Sequence, residues 1–295
     1  LEVDVILKKI LALLLAALMI VSLAACSSRE PAPADEESSS PSSSQQSPSS
    51  KAEEPKETYI LPDFPDHGED IAKAKEINSD TVGWLRIPGT TVDDAVLCYM
   101  DPNDYNQYYL RKDIYKNYSM EGVYFADCRN QFDGTAAGLS HNTTIYGHAL
   151  DLNDDPDAIR FSQLKKFWDI DFAKQHPYIY FSTEEEDLVW EIFAAFFTTT
   201  NHDYINPLDN ASESQVQKFL DEARARSDYD YNVEVSTDDK LLTLSTCVYK
   251  LSPGRYPNEY RYVLMAKLVT DDNYKKEADL VANDDVLGPD EAYNG

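Results

Sequence analysis

Cys247, Arg261 and one of five histidines are the side chains in this chain best suited to acyl-transfer chemistry. The run Leu241-Leu242-Thr243-Leu244-Ser245-Thr246-Cys247 has the composition of a buried strand that ends on a thiol. After a 13-residue loop rich in Pro, Gly and Asn, Arg261-Tyr262-Val263-Leu264-Met265-Ala266-Lys267 reads as the next strand. If the two pair antiparallel, the end of the first lies beside the start of the second, and Cys247 and Arg261 become neighbours at one rim. A guanidinium there can donate to a carbonyl oxygen that gains negative charge during acyl transfer, and it favours the thiolate. The third participant is a histidine able to exchange a proton near pH 7. His148 follows Thr143-Thr144-Ile145-Tyr146-Gly147 and so also sits at a strand end, whereas His67, His141, His176 and His202 lie in polar or loop segments. Residue types alone favour His148 without closing the choice. Nor do they decide the cysteine, since such a residue is by itself more often packed in a core than catalytic.

The elements that must position these groups are mostly strands. Short Val/Ile/Tyr/Phe-rich segments separated by Gly, Pro, Asn and Asp predict strands over 82–87, 94–99, 122–126, 143–147, 178–182, 187–200, 240–247 and 261–269. Helices are expected near 67–79, 159–175 and 211–227, the last carrying Val216, Phe219, Leu220 and Ala223 three and four apart. Eight short strands with few helices between them fit a closed barrel or a sandwich better than a wound parallel sheet.

The 295 residues are 42% hydrophobic, ample for a packed core, and carry a net charge of −27, which repels a phosphate backbone and argues against nucleic-acid binding. Residues 10–25 contain one polar residue, Ser22, behind Lys8 and Lys9, as in a signal-peptide core behind a basic start. The run ends in Leu23-Ala24-Ala25-Cys26-Ser27, which looks like a bacterial lipobox with Cys26 as the lipidated residue; the other reading is an uncleaved anchor. Residues 1–26 are therefore assigned as signal peptide or anchor. Residues 27–57, with 11 Ser and 5 Pro, read as a disordered tether, and 58–270 as the catalytic-size domain. Residues 271–295, with eight acids and two bases, read as a loosely ordered acidic tail. Four cysteines without C-x-x-C spacing give neither a disulfide scaffold nor a zinc site, and Cys98 and Cys128 read as packed thiols. The acidic stretch Asp151 to Asp157 lacks the glycine and glutamate of a calcium loop, so no metal is expected.

"TLSTC" followed by an Arg-aromatic-Val strand, with "NTTIYGH" about 100 residues earlier, strongly resembles the sortase family, class B. "GWLRIPGT", "YYL", "GVYFADCRN", "HPYIYF" and the helix before the final strand pair follow in the order of that class, and the resemblance covers roughly 75–270. It implies a mainly β fold: a closed eight-stranded sortase-type barrel with an N-terminal helix and inserted helices. It also implies a cysteine transpeptidase, without cofactor, that cleaves a C-terminal sorting signal after Thr and joins the new carboxyl to a cell-wall amine. The implied partners are surface proteins bearing that signal, a cell-wall precursor or peptidoglycan amine, and the membrane through the N-terminus. The implied location is the extracytoplasmic face of the cell membrane of a Gram-positive bacterium. Carried over residue by residue, Cys247 is the nucleophile, His148 the acid/base and Arg261 the oxyanion and substrate ligand. Tyr146, Ser245, Asn106, Leu110, Thr200, Tyr204 and Ile205 match substrate-cleft positions. The chain departs from the pattern at Val248, where some members carry an acid, and in the loop from Cys247 to Arg261, which is about four residues longer than in shorter versions and holds a second arginine, Arg255. The lipobox is also unusual for a family commonly held by an uncleaved helix. Two other functions are compatible with parts of the sequence: a cysteine peptidase that hydrolyses the same acyl-enzyme, and a non-catalytic surface-binding lipoprotein.

Overall fold

Eight strands close into a barrel in the order β1-β2-β3-β4-β8-β9-β6-β5. They are β1 (Thr81–Arg86), β2 (Asp93–Leu97), β3 (Tyr124–Ala126), β4 (Asn142–Tyr146), β5 (Tyr178–Ser182), β6 (Val189–Thr199), β8 (Leu241–Cys247) and β9 (Tyr260–Leu268). The computed structural model describes residues 59–100, 103, 105–251 and 259–295. The apolar run, Cys26, the 27–57 segment and Arg255 lie outside the described residues. Two further strands, β7 (Tyr229–Tyr231) and β10 (Leu280–Ala282), form a separate antiparallel pair.

Six of the eight barrel contacts are antiparallel, while β2 with β3 and β4 with β8 run parallel. β8 is buried along its length up to Cys247, which explains why it reads as a nearly continuous apolar and threonine run rather than an alternating one. Its buried hydroxyls are satisfied locally. Thr243 Oγ1 donates to Asn142 Oδ1 at 2.7 Å, and Thr246 Oγ1 donates to the Gly147 carbonyl at 2.9 Å.

The helices hold the outside of the barrel. Helix α1 (Gly68–Ile77) buries Ile71 and Ala74. The single helix expected near 159–175 is instead a 3-10 helix, Phe161–Trp168, followed by α2 (Ile170–Gln175). The reason lies in the spacing: Phe161, Leu164 and Phe167 recur every third residue, the period of a 3-10 helix, and all three are fully buried on one line. Asp169 then adopts an extended conformation and starts α2 by accepting the Asp171 N–H at 2.8 Å. Helix α3 (Glu213–Arg226) begins with Gln215 Oε1 accepting the Ser212 N–H at 2.8 Å, and it buries Val216, Leu220 and Ala223.

The acidic segment 271–295, expected to be loosely ordered, folds back onto the domain. Leu280 is buried, β10 pairs with β7, and the Leu287 N–H donates to the Ala225 carbonyl at 2.7 Å. The buried guanidinium of Arg226 donates to the carbonyls of Gly288 and Glu291, both at 2.7 Å, and to the Glu222 carboxylate at 2.8 Å. The acids misled the sequence reading because main-chain N–H and C=O groups and one buried leucine make these contacts, and side-chain composition carries no record of the former.

Asp228, between α3 and β7, supplies a pH-dependent stability term. Burial pushes its carboxyl up to about 7, opposed by the Lys250 ammonium. Because the folded value exceeds the unfolded one, the native state holds the proton more tightly. The resulting penalty is absent below the unfolded carboxylate range near about 4 and grows until pH reaches about 7. Asp228→Asn is therefore expected to leave the melting temperature nearly unchanged at about pH 4 and to raise it at about pH 8, a gain of order a few kcal/mol. Equal effects at both pH values in a thermal melt would contradict this.

Candidate active site

Strand register brings the three predicted catalytic side chains to one rim. β4 and β8 are parallel neighbours with Tyr146 opposite Ser245, so His148 and Cys247 each lie two residues beyond that rung. On the other side of β8, antiparallel pairing sets Cys247 opposite Arg261. His148, Cys247 and Arg261 thus belong to three adjacent chain segments at the same end of the barrel. Side chains two apart on a strand share a face, so Tyr146 and Ser245 point the same way one step below.

All three line a cleft of about 310 Å³, together with Asn106, Leu110, Tyr146, Thr200, Tyr204, Ile205 and Ser245. Every site residue expected in the barrel domain is therefore found around one opening. The segments 105–110 and 200–205 contribute to its walls, and Phe125, Tyr146 and Ser245 also line it. Tyr204 and Ser245 are joined through a hydroxyl pair at 3.0 Å.

His148 is oriented by the backbone. Its Nε2 lies 2.6 Å from the Leu110 carbonyl, which can only accept, so Nε2 carries the proton and Nδ1 is the nitrogen available for exchange. This approach needs Gly122, at φ 61°: a Cβ there would sit 2.9 Å from the Leu110 oxygen and 3.3 Å from His148 Cδ2. Burial lowers the imidazole pKa below its ordinary value; the Leu110 carbonyl opposes this, and Arg111 and Arg160 lower it further. The ring is accordingly neutral near pH 7. Cys247 is half-buried at the strand end and is a free thiol. Arg261 donates to the Tyr260 carbonyl at 2.9 Å, which restricts the guanidinium to the rim.

Asp127 organises the cleft, and sequence reading missed it. This fully buried carboxylate accepts from the Tyr146 hydroxyl at 2.6 Å, from Asn106 Nδ2 at 3.0 Å and from the Arg129 guanidinium at 2.8 and 3.0 Å. Burial alone would raise its pKa, but the hydrogen bonds from Arg129 and Tyr146 outweigh it and hold the carboxyl below its ordinary range. Arg129 also donates to the Ile205 carbonyl at 3.0 Å. One carboxylate thereby links both segments to Tyr146. Asn106 takes part at φ 68°, a left-handed conformation that asparagine tolerates better than most residues, and its Oδ1 accepts the Cys128 N–H at 2.6 Å. The available signal was an acid and an arginine two apart directly after the strand residues "YFA". Nearby, Cys98 is buried and Cys128 half-buried, both as free thiols; burial, then Cys128 and Asp127, push the Cys98 thiol up to about 12, which makes it inert.

A thiol, an imidazole and a guanidinium along one cleft edge can carry out nucleophilic acyl transfer with proton delivery and oxyanion stabilisation. The sequence model of the sortase domain family matches residues 85–269. Sortase B of Listeria monocytogenes is 32% identical over 202 residues, which span 68% of this chain and 75% of that protein. Sortase B of Staphylococcus aureus is 31% identical over 195 residues, 66% of this chain and 72% of that protein. Among solved structures, the Staphylococcus aureus sortase B–substrate complex superposes with a TM-score of 0.58 at 29% identity, covering 68% of this chain and 85% of that one. Sortase B from Listeria monocytogenes superposes with a TM-score of 0.54 at 32% identity, covering 66% and 98%. Barrel, cleft and kinship converge: the chain belongs to the sortase family, as a class B cysteine transpeptidase.

Proposed function

We propose that the protein cleaves a C-terminal sorting signal after threonine and transfers the new carboxyl to a cell-wall amine. Cys247 gives its thiol proton to the neutral His148 imidazole, the resulting thiolate attacks the threonine carbonyl, and Arg261 donates to the oxyanion that forms. As the C–N bond breaks, the His148 imidazolium gives its proton to the leaving amine, and a thioester to Cys247 remains. An acceptor amine then attacks the thioester, the proton it loses passes to His148, and the Cys247 thiolate departs. The observation that carries this reading is the register that sets His148 and Arg261 on either side of Cys247 at one cleft. That a relative, Staphylococcus aureus sortase B, is solved as a substrate complex supports this reading.

The experiment mixes the protein with a sorting peptide and oligoglycine, a diaminopimelate-containing peptide or hydroxylamine, then separates ligated from hydrolysed product. Ligation should dominate with at least one acceptor. Hydrolysis alone with every acceptor would contradict transpeptidation and favour the peptidase alternative.

The same reading puts the barrel outside the cell, on the extracytoplasmic face of a Gram-positive membrane and held through its N-terminus. It is supported by the apolar run 10–25, the lipobox at Cys26 and the Ser/Pro-rich segment that follows. Among the described residues no helix is long and apolar enough to cross a membrane. Mass spectrometry of the N-terminal peptide from native membranes should find lipid on Cys26. An intact peptide spanning Ala24 to Arg29 with an unmodified thiol would favour the uncleaved anchor.

A further inference from the structure

Asp154 and Lys165 form a buried ion pair that the reaction described above does not use. Lys165 Nζ lies 2.6 Å from Asp154 Oδ1, and both side chains are almost wholly removed from solvent. The aspartate also accepts two backbone N–H groups, from Tyr249 at 2.9 Å and from Lys250 at 2.6 Å. These are the second and third residues after Cys247, whereas Asp154 lies six residues after His148.

That placement matters because the β4–β8 ladder stops short of the catalytic residues. Its last rung joins Tyr146 and Ser245, and beyond it the Thr246 hydroxyl reaches the Gly147 carbonyl at 2.9 Å. From there the β4 chain leaves the sheet, whereas β8 stays paired with β9 as far as Cys247 opposite Arg261, and the Val248 N–H donates to the Tyr260 carbonyl at 3.2 Å. The segment after His148 is fastened to the 3-10 helix, whose Phe161 N–H donates to the His148 carbonyl at 2.9 Å. The segment after Cys247 is fastened to the segment after His148: Asp154 accepts its two N–H groups, and the Tyr249 hydroxyl donates to the Ala149 carbonyl at 3.1 Å. The Lys250 ammonium stands 3.5 Å over the Trp168 ring. Lys165 sits on the same 3-10 helix, between the buried Leu164 and Phe167 anchors, and neutralises the carboxylate. Asp154 itself is at φ 59°, so its backbone is strained where the side chain turns inward. Two desolvated charges recover their hydration only with good geometry, and a buried pair is therefore weak evidence for stability as such. Here its geometric effect is specific.

We propose that Asp154, held by Lys165, is a positioning residue of the transpeptidase: it clamps the backbone after Cys247 to the segment after His148 and so sets the spacing across which His148 delivers its proton to the leaving amine. The inference rests on the reading of Cys247 and His148 as nucleophile and acid. Small errors in such spacing cost rate rather than affinity.

The test compares the intact protein with the Asp154→Ala/Lys165→Met variant, which removes both charges together with the acceptor of the two N–H groups and leaves no buried ion unpaired. Each is assayed on a sorting peptide, whose amine leaving group needs a proton, and on the matching thioester, whose thiolate leaving group does not. The double variant should lose about 10- to 100-fold in kcat on the peptide with KM within about threefold, and keep thioester acylation within about threefold. A merely structural role would lower both substrates in proportion, and that result, or unchanged turnover of both, would overturn the proposal. Should the double variant not fold, Asp154→Glu keeps the charge pair and displaces the carboxylate by one methylene; the same selective loss is expected, and a proportional loss or none would overturn it. If the wild-type protein acylates with neither substrate, the catalytic reading itself falls and this inference with it, an outcome distinct from a wild type that works and a variant that is indifferent.

Discussion

Alanine in place of Cys247 is expected to abolish cleavage of a sorting peptide, a loss of at least about 10⁴-fold, with stability changed by less than about 1 kcal/mol. Catalysis through a thioester has no route without the thiol, and among the described residues the cleft offers no second nucleophile in the same place: the neighbouring hydroxyl of Ser245 is buried and engaged with Tyr204, and Thr246 donates to Gly147. The fold should tolerate the change because Cys247 ends β8 half-buried, and the barrel core is built from Leu241, Leu242 and Leu244 further down the strand. Chromatographic assay of peptide cleavage alongside a thermal melt separates the two effects. Retained cleavage by the alanine variant would remove Cys247 from the mechanism.

Arg261→Ala carries the second largest expected effect, about 10² to 10³ in kcat/KM, the usual loss when a positioned donor to an oxyanion is removed. The cross-strand pair with Cys247 is the ground for proposing Arg261 as the donor, and its own hydrogen bond to the Tyr260 carbonyl limits where the guanidinium can swing. Arg261→Lys should recover little, since a single ammonium cannot hold the carbonyl oxygen and the Tyr260 carbonyl in the same fork geometry. Arg255→Ala should be much milder. Steady-state kinetics of the three variants settle the ranking, and a larger loss at Arg255 would transfer the role to it.

The placement of the candidate site was largely legible in the sequence because it is a consequence of strand ends. Once 240–247 and 261–269 are read as strands joined by one loop, antiparallel pairing makes Cys247 and Arg261 neighbours, and the observed register does so. The parallel pairing of β4 with β8, which levels His148 with Cys247, crosses about 100 residues, and no local pattern encodes it. The family resemblance supplied that step. The break at Asp169 was missed because a period of three and a period of 3.6 differ little over eight residues. Asp127 and Asp154 were missed for a different reason. Asp127 directly follows a strand and Asp154 lies in a polar run, and only the folded structure brings Tyr146 and Arg129 to one and the amides of Tyr249 and Lys250 to the other. Val248 stands where, by the family resemblance, some relatives carry an acid; in this chain a carboxylate reaches the following residues from the segment after His148.

The most direct measurement is the intact mass of the protein during turnover of a sorting peptide, with the acyl-enzyme trapped by acid quench in the absence of an acceptor amine. A mass increase equal to the peptide up to and including its threonine, reversed by hydroxylamine and mapped to Cys247, is the predicted result. Turnover with no such adduct, or an adduct mapped to any other residue, would contradict a thioester mechanism at Cys247.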